Sequence, residues 1–361
     1  MKRSISLDSF QTGEPIAADI FDSQNRLLLK KNAVLTESFK QRLKANNINE
    51  VFIAIEAIKN IKQTSSQKDA PQTQKLLVSR NYYDLYDDLV YEQQKIKIRA
   101  SYIKPIQTNF SILTKEFVIL MLQDIEASLE FYLQIKKSQP EYNYKSHHIN
   151  TAILAILIGH WLRLNVYTIN EIAVVAMLHD VGETRVPQKI LEKATYLTDE
   201  EWEEIKKHPL YGLEILHKTD WINNRELYGV ATHHERLNGK GYPNGFVGSR
   251  IPIHSRVVAV SSIFNTATTD RVYAKRRDYI QLLLELTERS YGELDVKVTN
   301  VLYNGLADFL QRNNKTILLS NGDKGSLQRD KESSELSILG QNGIYNVKDP
   351  QCPRIDNSEL S

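Results

Sequence analysis

Histidines recurring on the apolar faces of helical segments limit most strongly how this chain can fold. In "TINEIAVVAMLHD", Thr168 and Glu171 have the spacing of a capping box, and the helix they open puts Ile172, Val175, Ala176 and His179 at i, i+3, i+4 and i+7. His179 is therefore expected to point inward, with Asp180 beside it and Gly182 letting the chain turn away. A second box, Thr198 with Glu201, opens a helix on which Trp202, Ile205 and His208 share a face, with Pro209 expected to close the turn. A single inward histidine is ordinarily a hydrogen-bonded core residue. Here His147, His179 with Asp180, His208, and the pair His233 and His234 would bring five imidazoles and a carboxylate into one helical bundle, where uncompensated polar groups are costly. Metal ions account for such a set: imidazole and carboxylate suit Fe, Mn or Zn, and one carboxylate between two histidine sets can bridge two ions. His233 and His234 diverge by about 100° on a helix, so they can flank an ion only at a helix end or with compensating tilt.

That pair runs directly into a loop, "ATHHERLNGKGYPNG" at 231–245, with three glycines, a proline and two asparagines. Around it the pattern is helical from about 77 to 312, with "KEFVILMLQDIEASLEFYLQIKK" carrying apolar residues at three and four spacing. Residues 1–57 read as a small α+β module: two strands around Asp22 to Asn25, a third at "EVFIAI", and between them a short helix with Phe39 and Leu43 on one face. The polar stretch 58–76 reads as a linker. Residues 313–361 read as a short β-rich appendage and a loose tail, with Asn-Gly turns between β-like runs. The expected fold is mainly α, a helical bundle with a small mixed module at either end.

The remaining composition serves mostly to exclude. Forty-six basic against 44 acidic residues leave a formal charge of +2, without the dense basic stripe of a nucleic-acid binder, so no nucleic-acid polymer is expected as a partner. "TAILAILIGHWL" is short and broken by Gly159 and His160, so it reads as a buried helix and no membrane insertion is expected. The start, "MKRSISLDSF", lacks the apolar core of a signal peptide, and a lone cysteine, Cys352, fits a reducing compartment. A cytoplasmic location is the expectation.

The order His147, "HD" at 179–180, His208, "HHE" at 233–235 and "GYP" at 241–243 resembles the HD-GYP family of metal-dependent phosphodiesterases that hydrolyse cyclic di-GMP. The phrases "MLHDVGETRVPQKILEK" and "YLTDEEWEEIKKHPLYGLEIL" agree, and the likeness covers about 110–312. The module at 1–57 resembles the small domain that often precedes such domains. The resemblance implies an HD-type bundle and hydrolysis at phosphorus to linear pGpG or GMP in second-messenger signalling. It also implies a divalent metal, Fe or Mn, as one or two ions that neutralise the phosphate and activate a water. His147, His179 and Asp180 would serve one ion; Asp180, His208, His233 and His234 would serve the other, with His179 and Asp180 as the catalytic pair. Gly241, Tyr242 and Pro243 would line the substrate cleft, and Arg271 and Lys275 would face the phosphates or the guanine. His148, His160, His217 and His254 match no family ligand position.

Several positions depart from the family pattern. Its Asp-x-Phe-Asp-Ala motif aligns with "SIFNT", so Ser262 stands where a metal-ligating aspartate belongs, and Phe264 and Asn265 replace the phenylalanine-aspartate pair. Glu183 replaces the lysine of HDxGK, Asn238 replaces a loop aspartate, and Asn143 stands where some three-metal members have a carboxylate. Two readings follow: a working phosphodiesterase weakened at the first ion, or a degenerate member acting as a cyclic di-GMP receptor or a scaffold for protein partners. A phosphohydrolase for another nucleotide is a third, which the GYP motif argues against.

Overall fold

The computed structural model describes residues 2–6, 20–21, 27–29, 43–44, 48, 50–54, 70–100, 109–139, 144–193, 195–270, 276–289, 292–313, 316–330, 336–349, 352–353 and 355–356. The chain divides into two compact units, Met1–Leu76 and Leu77–Ser361.

In the first unit, β2 (Ile20–Phe21) and β3 (Leu27–Leu29) pair antiparallel across the expected turn. The third expected strand is β4 (Glu50–Ala54), and it pairs antiparallel with β1 (Lys2–Ser6), from Lys2 opposite Ala54 to Ser6 opposite Glu50. The sequence reading missed β1, whose partner lies some fifty residues away. Leu43 and Val51 are buried. Phe39 and most of its expected helix lie outside the described residues.

Helix α1 (Ala70–Ala100) begins inside the stretch that reads as a linker. The second unit continues with α2 (Phe110–Gln123), α3 (Ile125–Ser138), α4 (Tyr144–Trp161) and α5 (Val166–Leu178). After a 3-10 turn at Val181–Arg185 come α6 (Gln188–Leu191), α7 (Asp199–Ile205), α8 (His208–Leu216) and α9 (Asn224–Thr232). A 3-10 turn at Gly248–Arg250 leads to α10 (Ile253–Ala267), α11 (Tyr279–Arg289) and α12 (Val296–Arg312). Helix α4 is the axis of the bundle. It is apolar nearly all round and is buried from Ser146 to Gly159, packing on α5, α10, α12 and α2. The apolar run that reads as a buried helix is this one. No described helix is long and apolar enough to cross a membrane.

Helix starts follow local chemistry with two corrections. The box at Thr198 and Glu201 forms, each side chain bonding the other's backbone N–H. The one expected at Thr168 does not. Asn165 caps α5 instead, accepting from Thr168 N at 2.9 Å, while Glu171 turns inward to accept from Asn223 Nδ2 and Arg225 Nε and to meet His254 Nε2 at 3.0 Å. An earlier cap was available, and the buried carboxylate ties the starts of α5, α9 and α10 together. Nor does Pro209 close a helix: α7 stops at Ile205 and Pro209 sits in the first turn of α8, where a missing N–H costs nothing.

The appendage is more ordered than its sequence suggests. Strands β5 (Thr316–Leu319), β6 (Lys324–Arg329), β7 (Leu336–Gly340), β8 (Ile344–Asn346) and β9 (Ile355–Asp356) form an antiparallel sheet in the order β8-β7-β6-β5-β9. Ile317, Leu319, Leu327, Leu336 and Ile338 are buried, and β6 lies against α12. Buried Asp323 accepts from the backbone N–H groups of Lys324, Gln341 and Asn342 and from the Tyr345 hydroxyl, linking two turns of the sheet.

Candidate metal centre and substrate cleft

The site is assembled from helix ends. Helix α5 stops at Leu178 with His179 as its cap, α9 stops at Thr232 with His233 as its cap, and His208 follows the end of α7. Carbonyls in a last turn have no partner within the helix. Each histidine takes one, Nδ1 donating to the carbonyl three residues earlier: His179 to Ala176 and His208 to Ile205, both at 2.8 Å, and His233 to Val230 at 2.7 Å. A neutral imidazole that donates from Nδ1 keeps its lone pair on Nε2.

Those lone pairs converge on Asp180. Its Oδ2 lies 2.9 Å from His179 Nε2, and its Oδ1 lies 3.3 Å from His208 Nε2 and 3.5 Å from His233 Nε2. His208 Nε2 and His233 Nε2 are 3.2 Å apart, and the buried His179 Nε2 has no hydrogen-bond partner. Acceptors facing acceptors at such distances repel unless a proton or a cation sits among them. Burial lowers the His233 pKa to about 4 and takes His234 well below the usual histidine range, so neither holds a proton at neutral pH. Burial also opposes charge on His179, but the neighbouring Asp180 carboxylate outweighs it and pushes the pKa up. Burial would raise Asp180 too; the adjacent His179 and the contacts from His148 and His208 hold it well below the usual carboxylate range. The donor set fits a divalent cation.

Two groups of candidate ligands share Asp180, the ligand atoms in each lying within 4.8 Å of one another: Asp180, His208, His233 and His234, and His147, His179 and Asp180. These are the two sets expected from the sequence. His148, to which the sequence reading gave no role, is buried beside them with Nε2 3.6 Å from Asp180 Oδ2. Two adjacent residues of α4 can both face polar neighbours because that helix has no solvent side at this point. His160 and His217 are exposed, and His254 is the partner of Glu171.

The loop after the histidine pair folds back over it. Tyr242 stacks on His234, centroids 4.5 Å apart and planes 19° off parallel, and meets Trp202 edge to face at 6.3 Å. Tyr242 N donates to His234 O, while the buried Glu235 carboxylate accepts from Asn244 N at 2.8 Å and Phe246 N at 2.9 Å. A Cβ on Gly241 would lie 2.3 Å from Arg236 N and 2.5 Å from Glu235 Cα, so this approach requires glycine. Pro243 follows Tyr242 in the same partly exposed loop. Asn238 is exposed and serves the turn, its Oδ1 accepting from Lys240 N.

Glu183 lies in the 3-10 turn after Asp180, close enough to influence His179 and Tyr242. Lys97, half-buried on α1, offsets it: burial lowers the Lys97 amine, and the Glu183 and Asp180 carboxylates act in the opposite sense. A basic group therefore reaches the neighbourhood of Glu183 from a helix that the motif reading did not include. Ser262 lies one turn before Asn265 on α10, and Asn265 contacts His147. Arg271 and Lys275 lie outside the described residues.

Comparison with known proteins agrees with this geometry. The family described as HD domain matches residues 135–298. Over 176 residues the chain is 32% identical to the cyclic di-GMP phosphodiesterase PdeB of Borreliella burgdorferi, covering 49% of this chain and 46% of that protein. Over 162 residues it is 30% identical to a cyclic di-GMP phosphodiesterase of Pseudomonas aeruginosa, covering 45% and 39%. Over 252 residues it is 27% identical to the 3'3'-cGAMP-specific phosphodiesterase 2 of Vibrio cholerae, covering 64% and 47%. The matched segments thus span less than half the length of these relatives. Residues 135–298 thus match the HD domain family, and the paired histidine sets about one aspartate, with the GYP loop stacked on the second set, are similar to the HD-GYP pattern.

Proposed function

We propose that this protein is a metal-dependent phosphodiesterase that hydrolyses cyclic di-GMP to linear pGpG or GMP. The observation that carries the reading is the convergence of bare histidine Nε2 atoms on a buried aspartate directly beneath an aromatic-walled, glycine-rich loop. Asp180, His208, His233 and His234 would hold one divalent cation, Fe or Mn; His147, His179 and Asp180 are the candidate second set. A bound cation supplies Lewis-acid neutralisation of the phosphate and a water acidic enough to attack phosphorus at neutral pH.

The chain's own residues do the rest. The Nδ1–H bonds to Ala176, Ile205 and Val230 fix each ring, so the donor geometry exists before the substrate arrives. Asp180 contributes its charge from the centre of both sets. Tyr242 stays a hydrogen-bond donor at working pH, because burial and then the Asp180 charge push its hydroxyl up, and that O–H is available to a phosphate oxygen. Trp202 and Tyr242 offer ring faces and edges at the mouth, suited to a purine base. Lys97 would restore positive charge where Glu183 repels a phosphate.

A receptor reading has its own observation in Glu183, Ser262 and the Asn265 contact to His147. Turnover separates the two. Protein loaded anaerobically with Fe or Mn is offered cyclic di-GMP and, in parallel, 3'3'-cGAMP, and products are followed by chromatography. Linear dinucleotide or GMP from cyclic di-GMP above a metal-only blank is expected. Metal-loaded protein that binds cyclic di-GMP without cleaving it would replace the enzyme by a receptor, and cleavage of cGAMP alone would replace the substrate.

A further inference from the structure

We propose that Asn265 withholds His147 from metal binding, so that the site takes a single cation on Asp180, His208, His233 and His234. The inference rests on the cation-binding reading of the site and is independent of which phosphodiester is cleaved.

Three histidines of the cluster donate from Nδ1 to a backbone carbonyl and keep Nε2 bare. His147 is arranged the opposite way. Its Nδ1 lies 3.0 Å from Asn265 Nδ2, an amide nitrogen that carries only hydrogens to give. The orientation of that amide follows from its surroundings. The same Nδ2 lies 3.0 Å from the His147 carbonyl oxygen and 3.2 Å from Thr151 Oγ1, whose own hydrogen goes to that carbonyl at 2.8 Å. On the other side, buried Lys136 Nζ lies 3.4 Å from Asn265 Oδ1 and 3.2 Å from Asn265 O. Reversing the amide would set oxygen against oxygen and NH2 against an amine.

His147 Nδ1 must therefore accept, which places the ring's one hydrogen on Nε2. Such an imidazole has spent its lone pair on the amide and offers none to a cation, whichever nitrogen faces Asp180. The first set is left with His179 and Asp180, and Ser262, a turn before Asn265 on α10, carries no charge. A carboxylate at 265 would do the reverse. It would accept Nδ1–H, free Nε2, and give Lys136 an anionic partner. Asn265 is thus a positioning residue that sets the number of cations through a tautomer.

The test measures metal per chain by elemental analysis after loading with Mn and gel filtration, in the full chain and in His147→Ala, Asn265→Asp and the double variant. One cation is expected in the wild type and in His147→Ala, a rise toward two in Asn265→Asp, and a return to one in the double variant. Two cations in the wild type with one lost in His147→Ala would overturn the proposal, as would Asn265→Asp remaining at one. Should Asn265→Asp fail to fold, long-range 1H–15N spectra of the metal-free wild type decide: a proton on His147 Nε2 is expected, and one on Nδ1 overturns the inference. A protein that holds one cation yet cleaves neither dinucleotide would overturn the proposed function and leave this inference standing. No cation bound by any variant would overturn both.

Discussion

Gly182→Ala isolates the contact on which the centre depends. Gly182 follows Asp180 by two residues and lies against the start of α8, where a Cβ would sit 1.9 Å from His208 O, 2.4 Å from Gly212 N and 2.9 Å from His208 C. Contacts under 3.0 Å are essentially never seen, so about 1.1 Å of separation must be found at the closest of them. All three atoms are backbone, so no side-chain rotation can provide it, and α8 must back away from the turn that carries Asp180. Overpacking of this kind costs about 1–3 kcal/mol, and in a unit of this size a melting temperature lower by roughly 5 °C is expected. The displacement acts on His208, whose Nε2 stands 3.3 Å from Asp180 Oδ1. Cation affinity should fall roughly 10- to 100-fold, and turnover about 100-fold. Scanning calorimetry and Mn titration measure the two effects separately. Gly212→Ala is the control: its Cβ would meet only side chains closely, Val230 Cγ1 at 3.1 Å and Val181 Cγ1 at 3.4 Å, which can adjust. A Gly182→Ala protein that melts within about 1 °C of wild type with unchanged Mn affinity would refute the reasoning, because α8 would then have room that these distances deny.

Three further outcomes are expected. Glu235→Ala leaves Asn244 N and Phe246 N without their carboxylate, so KM for the cyclic dinucleotide should rise at least tenfold, at a stability cost of about 2 kcal/mol read from urea unfolding. Trp202→Ala, at a residue 44% exposed, should also raise KM by roughly tenfold through lost stacking, with little change in melting temperature. Burial lowers the Lys136 pKa to about 7 from an ordinary 10.5, so the unfolded chain binds more protons between those values and stability should rise with pH across that window. Melting temperature should therefore climb from pH 7 to pH 9 in the wild type and climb less in Lys136→Met. Lys97 acts in the same sense in both proteins, and buried Tyr132 and Tyr279, both pushed up by burial, titrate only above this range.

The parts of this molecule that local rules govern were legible beforehand. His179 and His208 could be placed inward because apolar residues at three and four spacing mark a face, and the adjacent pair at 233 and 234 required a helix end, which the last turn of α9 provides. The structure brings the residues of both histidine sets together about Asp180. What the sequence hid depends on distance or on directions of hydrogen bonds. His148 lies about 100° round the helix from His147, a turn that leads to solvent on an ordinary helix and to Asp180 on one buried all round. Lys97 comes from a helix more than eighty residues before Asp180. The partner of β4 is a strand at the far end of its module, and Glu171 left its expected cap for a buried tie to His254. The Asn265 substitution was visible as a departure from the family pattern, but its effect on a tautomer needed the Lys136 and Thr151 contacts.

Building the centre at helix ends also separates two tasks that many sites combine. The rings of His179, His208 and His233 are each pinned by the last turn behind them, so the loop that leaves from the 233–234 pair is not needed to aim these three donors. That loop can change length and composition while these donors stay where the helices put them. Specificity can then drift from one cyclic dinucleotide to another by editing loops alone, and a chain can lose its substrate preference long before it loses its hold on a cation.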